Sequence, residues 1–307
     1  MDEWAFIDWV KIYLERSGRD ERVVTGVGDD MAVVRAGRET LLLGSDMLVE
    51  GVHFDLGGTS PEQVGRKALG VCLSDCAAMA GRPLAALVSL SKPRVMSMSV
   101  VERVYHGLAR MARDFGCTIV GGDTCGGSSQ LVIDVSLLGV ADGVEPVLRS
   151  GAKAGDWLYV TGRLGGSILG RHTDFVPRVQ EGRWLAEKLP VHAMIDLSDG
   201  LSTDVGHVCR ASGVAAEFDE ARLVDAASEA ARTLADRDGR SVLEHVLNDG
   251  EDFELLAAIG AEPEELPELP GNLALRAVGR MVEGEGAWIV RADGNRNALR
   301  SGGYKHF

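Results

Sequence analysis

A mixed α/β (α+β) protein of two α/β domains, covering residues 1–141 and 142–307, is the fold class this sequence predicts. Three observations lead there. Short apolar runs with strand periodicity alternate with stretches of helical periodicity along the whole chain. A length of 307 residues suits two domains of ordinary size. A polar stretch from Ala141 to Asp156 lies near the middle and separates the two halves.

The elements follow in order. Trp4, Ile7, Val10 and Leu14 fall on one helical face, and Gly18 ends that helix. Met31 to Val34 and Thr40 to Gly44 are short apolar runs that read as strands. Ser60-Pro61-Glu62-Gln63 is a capping box with proline at the first helical position. The helix it opens runs to about Ala80 and stops near Gly81 and Pro83. Leu84 to Leu90 reads as a strand, Val100 to Phe115 as a helix ended by Gly116, and Cys117 to Val120 as another strand. Leu131, Ile133, Val135 and Leu137 alternate as in a half-buried strand. The second half opens with a strand, Trp157 to Val160, followed by the glycine-rich turn GRLGGSILG. A strand then enters IDLSDG, a helix runs to Ser212, and a further strand spans about Phe253 to Ile259. The Glu- and Pro-rich segment Ala261 to Gly271 reads as a surface loop.

Thirty-two Lys and Arg against 46 Asp and Glu give a formal charge of −14. Such a field repels polyanions, which argues against binding nucleic acid or an anionic membrane. A small phosphate ligand stays open if cations mediate. The five cysteines are Cys72, Cys76, Cys117, Cys125 and Cys209; an odd number without a CxxC pair suggests neither a disulfide framework nor a zinc site. The start, MDEWAFIDWV, is acidic where a secretory signal is basic, and no run reaches the ~18 apolar residues that span a bilayer. A reduced, cytoplasmic, soluble protein is expected.

The placement of the acids is more informative than their number. Asp29 and Asp30 in GVGDD, Asp46 in GSDMLVEGVHF, Asp75 in LSDCAAM, Asp123 in GGDT, and Asp196 and Asp199 in IDLSDG sit in short turns or helix segments beside apolar or glycine residues. Any one of them alone is ordinary turn chemistry. Asp75 differs, because Val64, Ala68, Val71, Asp75 and Ala78 share one helical face whose apolar members turn inward. A carboxylate buried there costs several kcal/mol unless it meets dense hydrogen bonding or a cation, either Arg66 or Lys67 or a metal. The same holds for Asp123 after the strand CTIV and for Asp196 at the end of AMI. Carboxylates without histidines or thiols select Mg²⁺ over Zn²⁺, and Mg²⁺ commonly shares its shell with phosphates. Several such Asp imply several ions and a polyphosphate. The chain has no P-loop, no protein-kinase motif set and no EF-hand spacing.

Taken in order, GVGDD, SDMLVEGVHF, KALGVCLSDCAAMAG, VGGDT, RSGAKAGDWLYVTG, IDLSDGLSTDVGH, GEDFEL and the terminal GYKHF resemble the thiamine-monophosphate kinase family. That family lies within the superfamily of aminoimidazole ribonucleotide synthetase and selenophosphate synthetase. The resemblance runs nearly end to end. It implies a two-domain synthetase-like fold, with an N-terminal domain whose strands pair across a homodimer, a C-terminal α/β domain, and ATP in the cleft between these parts. It implies ATP-dependent phosphorylation of thiamine monophosphate to thiamine diphosphate with several Mg²⁺ ions. By matching motif, it implies Mg²⁺ ligands at Asp30, Gly44, Ser45, Asp46, Asp75, Asp123 and Asp196, with Asp199 on an additional ion. It implies ATP contacts at Tyr105, Gly122, Asp123, Arg149 and Ser198, and thiamine-side contacts at His53, Glu251 and Tyr304. Tyr105 shares a helical register with Val101 and Leu108, so core packing explains it equally well. Two positions depart from the family pattern: Gly44-Ser45 stands where a pair of hydroxyls is common, and Cys72 where Asn is common.

The acceptor in such a reaction is a phosphate monoester, largely dianionic at neutral pH because its second pKa is about 6. It needs no general base. Positioning and charge neutralisation carry the transfer, so direct in-line displacement without a phosphoenzyme is expected. Two alternatives stay open: a sibling ATP-dependent synthetase of the same superfamily, and a nonenzymatic Mg²⁺-nucleotide-binding protein.

Overall fold

The computed structural model describes residues 3–16, 18, 20–271 and 273–304. Helix α1 (Glu3–Arg16) forms where the apolar spacing predicts it, but Ile7 and Val10 are only half-buried and Leu14 is exposed. The side chain of Trp4 and the end of the GYKHF string, residues 305–307, lie outside the described residues. Strands β1 (Val23–Thr25), β2 (Ala32–Ala36) and β3 (Glu39–Val49) come next, then α2 (Pro61–Ala78), β4 (Arg82–Lys92), α3 (Met98–Asp114), β5 (Thr118–Gly126) and β6 (Val132–Val140). They build a six-stranded sheet in the order β1-β2-β3-β6-β4-β5. Only β4 and β5, joined through α3, run parallel; the other neighbours are antiparallel.

Two expectations about turns are corrected here. Strand β3 does not stop at Gly44 but continues through Ser45 and Asp46 to Val49, and β5 continues past Val120 through Gly122 and Asp123. Asp46 and Asp123 therefore sit inside strands. Glycine and aspartate are turn formers by local preference, but ladder pairing of Gly44 with Leu137 and of Asp123 with Ser89 overrides that preference. Pro83, read as a helix stop, lies inside β4 beside a register shift, where its missing N–H is tolerated.

Helix α2 opens as the capping box requires. Gln63 N–H donates to Ser60 Oγ, and Ser60 N–H donates to Gln63 Oε1 at 3.1 Å. The helix is buried along most of its length and crosses α3 at two glycines. A Cβ on Gly65 would stand 1.9 Å from the Val104 carbonyl oxygen, and one on Gly107 would stand 1.9 Å from that of Glu62. Backbone meets backbone at this crossing. Beneath it Val64, Ala68, Leu69 and Leu73 pack on Leu42, Leu48, Val88, Ile133 and Val135 from the inner face of the sheet. The opposite face is bare, with Leu43, Met47, Leu87 and Val120 exposed.

The second half contains β7 (Trp157–Thr161), α4 (Arg171–Asp174), α5 (Val179–Lys188), β8 (Val191–Asp196), α6 (Leu201–Ser212), β9 (Ala215–Asp219), α7 (Glu220–Asp225), α8 (Glu229–Asp238), α9 (Val242–Asn248), β10 (Leu255–Ile259), β11 (Leu275–Val282), β12 (Ala287–Val290) and β13 (Arg296–Leu299). Its seven-stranded sheet has the order β13-β12-β9-β11-β7-β10-β8, with only β9 and β12 parallel. One apolar core runs across both halves, joining Met31 and Cys76 to Met194, Phe253 and Leu255. A second lies within the C-terminal half around Phe218, Val205 and Ile195.

The turn GRLGGSILG is a brace. Gly165 N–H donates to both oxygens of Asp252 at 3.0 and 2.8 Å, and Gly166 N–H to Asp249 Oδ2 at 2.8 Å. Ser167 Oγ donates to the Gly250 carbonyl. Amides engaged by carboxylates in this way hold the GEDFEL loop and do not cradle a phosphate. Among the described residues no helix is long and apolar enough to cross a membrane.

Candidate active site

Four of the aspartates converge where the two halves meet. Asp30 precedes β2, Asp46 projects from the inner face of β3, Asp75 lies in the last turns of α2, and Asp196 ends β8. Asp30, Asp75 and Asp196 each offer a carboxylate oxygen, and these oxygens lie within 4.8 Å of one another. Burial, followed by the charges of Asp46, Asp196 and Asp30, pushes the Asp75 carboxyl well above the ordinary range. Burial and then the Asp30 charge push Asp196 up to about 8. Asp30 and Asp46 are raised by burial first as well. Ser74 Oγ donates to Asp196 Oδ2 at 2.6 Å. The cation at this cluster is Arg149, whose Nη2 donates to Asp30 Oδ1 at 2.5 Å and whose backbone N–H faces Asp29.

Arg66 and Lys67, the side chains proposed from sequence as partners for Asp75, are both engaged elsewhere. Arg66 donates to the Phe175 carbonyl at 2.6 Å, and Lys67 to Glu251 at 2.6 Å. Two helical turns separate Lys67 from Asp75, which is too far for a direct pair. Neither of these side chains therefore offsets the Asp75 carboxylate.

A second group forms around Asp199, whose carboxylate is joined within 4.8 Å by ligand atoms of Asp204 and His207 on α6. Burial and then Asp199 raise the Asp204 carboxyl well above its usual range; burial, Arg149 and Arg210 lower His207 to about 3. Arg210 donates to His207 Nδ1 at 2.6 Å, which leaves the ring proton on Nε2. The carboxylates carry this group.

Beside Asp46 opens a cleft of about 880 Å³, lined among others by His53, Ser198, Asp199, Glu251 and Tyr304. These come from the turn after β3, the loop after β8, the loop before β10 and the C-terminal segment, so residues spread over most of the chain share one cavity. Val49 N–H donates to His53 Nδ1 at 3.0 Å, so the Nε2 of that ring bears the proton. Glu251 holds a left-handed backbone, φ 61°, with its N–H bonded to the Ser198 carbonyl at 2.6 Å.

Other sequence-predicted residues stand apart from the cluster. Alternation along β3 turns Ser45 to the outer face, where Ser45 Oγ donates to Asp134 Oδ2 at 3.1 Å and lies 3.2 Å from Ser136 Oγ. Asp123 pairs across the sheet with Ser89, and Ser89 with Asp134, which sets Asp123 on that same outer face, exposed on the edge strand β5. Gly122 adjoins it with φ 148°, and a Cβ there would stand 1.8 Å from the Val88 carbonyl oxygen. Gly44 faces inward against Met31, and the metal contact its motif implies would come through its backbone carbonyl. Tyr105 is half-buried and packs against the core, the second of the two roles its spacing allowed.

Residues 28–141 match the family model for AIR synthase related protein, N-terminal domain. A thiamine-monophosphate kinase of Rhodopirellula baltica is 37% identical over 276 residues, spanning 87% of this chain and 86% of its own. The chain belongs to the thiamine-monophosphate kinase family. A second relative of that name, from Aquifex aeolicus, is 33% identical and spans 100% of this chain and 98% of its own. The solved structure of AaThiL complexed with AMPPCP and TMP is 32% identical, spans 100% of this chain and 97% of its own, and superposes with a TM-score of 0.84.

Within this member of the family, sequence reasoning passed over Asp134, Asp204 and His207. Asp204 and His207 carried a usable signal, since they fall one helical turn apart within IDLSDGLSTDVGH, just after Asp199. Asp134 carried none, because a lone acid between apolar strand residues reads as an ordinary outward-facing position.

Proposed function

We propose that this chain transfers the γ-phosphoryl group of ATP to thiamine monophosphate, giving thiamine diphosphate and ADP. The observation that carries this reading is a buried carboxylate cluster opening, at Asp46, onto a cleft lined by His53, Glu251 and Tyr304 in a chain of this family. The cluster fits Mg²⁺. Asp30 Oδ2 and Asp46 Oδ2 are buried without a hydrogen-bond partner among the described residues, and the donor set is all oxygen. Asp30, Asp46, Asp75 and Asp196 would hold Mg²⁺, with Asp199 on a further ion. When bound, Mg²⁺ neutralises charge on the phosphates that must meet.

The remaining work falls to the protein's own groups. Arg149 supplies a fixed guanidinium beside Asp30 for the ATP phosphates, and Ser198 borders them. His53 presents a ring N–H donor, Glu251 a carboxylate suited to the cationic thiazolium, and Tyr304 an aromatic face. No base takes a proton, because the acceptor oxygen is already ionised. In this reading residues 1–141 and 142–307 are the two domains, and the protein works in the cytoplasm as a homodimer. The exposed edge β5 and the bare apolar outer face support the dimer, since such an edge is a template for pairing. Gly122, Asp123 and Ser45 then meet ATP and metal once the second copy covers that face.

Incubation with Mg²⁺-ATP and thiamine monophosphate, followed by separation of products, tests this. Thiamine diphosphate with equimolar ADP is expected. ADP without thiamine diphosphate, no turnover at all, or a phosphorylated side chain on the reaction path would each overturn it.

A further inference from the structure

Lys67 lies on α2, in the middle of the N-terminal half, with no solvent exposure at all. An ammonium in such a place is costly unless its partners are well placed, and for stability alone an apolar side chain of similar length serves as well or better. Its partners here are two groups of the cleft. Lys67 Nζ donates to Glu251 Oε1 at 2.6 Å and to the backbone carbonyl of His53, also at 2.6 Å. His172 Nδ1 stands 3.5 Å from the same ammonium and 3.5 Å from Glu251 Oε2.

Lys67 itself does not line the cleft, whereas His53 and Glu251 both do. One charge thus joins the turn after β3 to the loop before β10, two segments almost two hundred residues apart. Both segments need such a tie. Glu251 sits in a left-handed conformation that a side chain rarely adopts, and the backbone N–H of His53 and its ring Nδ1 bond locally to Val49.

We propose that Lys67 is a positioning residue for the thiamine-side pocket: by gripping Glu251 and the His53 carbonyl together, it sets the spacing between the two groups that hold the substrate's organic moiety. This rests on the reading that the cleft takes thiamine monophosphate. Lys67 touches no reacting atom, so its loss weakens recognition of one substrate and leaves the handling of ATP alone.

Steady-state kinetics on Lys67→Met, Glu251→Gln and the double variant test the proposal. Lys67→Met should raise the KM for thiamine monophosphate about tenfold or more, with kcat and the KM for ATP within about threefold. Added to Glu251→Gln, it should cost less than about twofold further, because the two act as one unit. Equal effects on both substrates, or full additivity in the double variant, overturn the proposal while leaving the pocket assignment standing. A Glu251→Gln variant with unchanged KM for thiamine monophosphate overturns the pocket assignment, and the proposal with it. Where Lys67→Met yields no folded protein, Lys67→Arg carries the test. Its planar head keeps the charge but cannot reproduce both bonds. A raised KM for thiamine monophosphate alone supports the proposal, and an unchanged one overturns it.

Discussion

Asp196→Asn separates the electrostatic strain of the carboxylate cluster from its proposed role in metal binding. Burial and the charge of Asp30 hold the Asp196 carboxyl up at about 8 against an ordinary 3.8. The native protein therefore keeps a proton that the unfolded chain releases, and stability falls as pH rises from about 4 to about 8 in the absence of metal. Forcing such a carboxyl to ionise costs at most on the order of 6 kcal/mol. Asparagine cannot ionise, yet its side-chain oxygen can still accept the 2.6 Å bond from Ser74 Oγ. Allowing for relaxation of the site, the metal-free variant should gain about 1–3 kcal/mol above pH 8, a rise in Tm of roughly 2–6 °C for a chain of this size. At about pH 4 the carboxyl keeps its proton in the folded wild type and largely in its unfolded chain, so the gain should vanish. Saturating Mg²⁺ should reverse the order, stabilising wild type more than the variant, and kinase turnover of the variant should fall about 100-fold or more. Thermal unfolding followed by circular dichroism, at both pH values and with EDTA or Mg²⁺, reads all of this. A metal-free variant no more stable than wild type above pH 8, or an equal Mg²⁺ response in both proteins, would refute the reasoning.

Asp75→Asn and Asp30→Asn should each lower turnover about 100-fold or more with the far-ultraviolet spectrum intact, and a variant that stays fully active removes that carboxylate from the metal site. Gly107→Ala drives a methyl into the Glu62 carbonyl across the helix crossing and should cost about 2–3 kcal/mol; a melting temperature unchanged within error would show that the helices separate freely. Val120→Glu places a charge on the exposed outer face of β5 and should shift the sedimentation profile from dimer to monomer, whereas an unchanged profile would move the interface elsewhere.

What could be read from the sequence was what short-range chemistry specifies. The Ser60–Gln63 box, the inward stripe of α2 and the alternation of β6 are local signals, and each appears where it was expected. The full lengths of β3 and β5 are not legible locally, because Gly44, Asp46, Gly122 and Asp123 look like turn residues and only pairing with distant strands shows otherwise. Short C-terminal elements such as β13, with the sequence RNAL, have too little periodicity to register. At the site, Asp75 was legible because a carboxylate broke an apolar helical stripe. Ser45 is legible only by motif, because the strand alternation that turns it to the face opposite Asp46 shows only once the segment pairs with β6.

The same helix that made Asp75 legible also explains how an acidic protein can host two anionic substrates. Lys67, Val71 and Asp75 recur at four-residue spacing on one face of α2, about 12 Å from end to end. Lys67 fixes the Glu251 end of the cleft, Val71 lines its wall, and Asp75 joins the carboxylates at the other end. The formal −14 thus includes a group of carboxylates gathered at one end of a rigid rod, where cations can offset them, while a buried ammonium sits at the other end. A rod closed by a capping box and locked by a two-glycine crossing cannot lengthen or shorten. The separation between the proposed thiamine-side contacts and the proposed metal ligands is therefore a property of α2 itself. Disturbing the Gly65–Gly107 crossing should then impair phosphoryl transfer even where the protein stays folded, because it shifts Lys67 and Asp75 relative to the sheets that carry their partners.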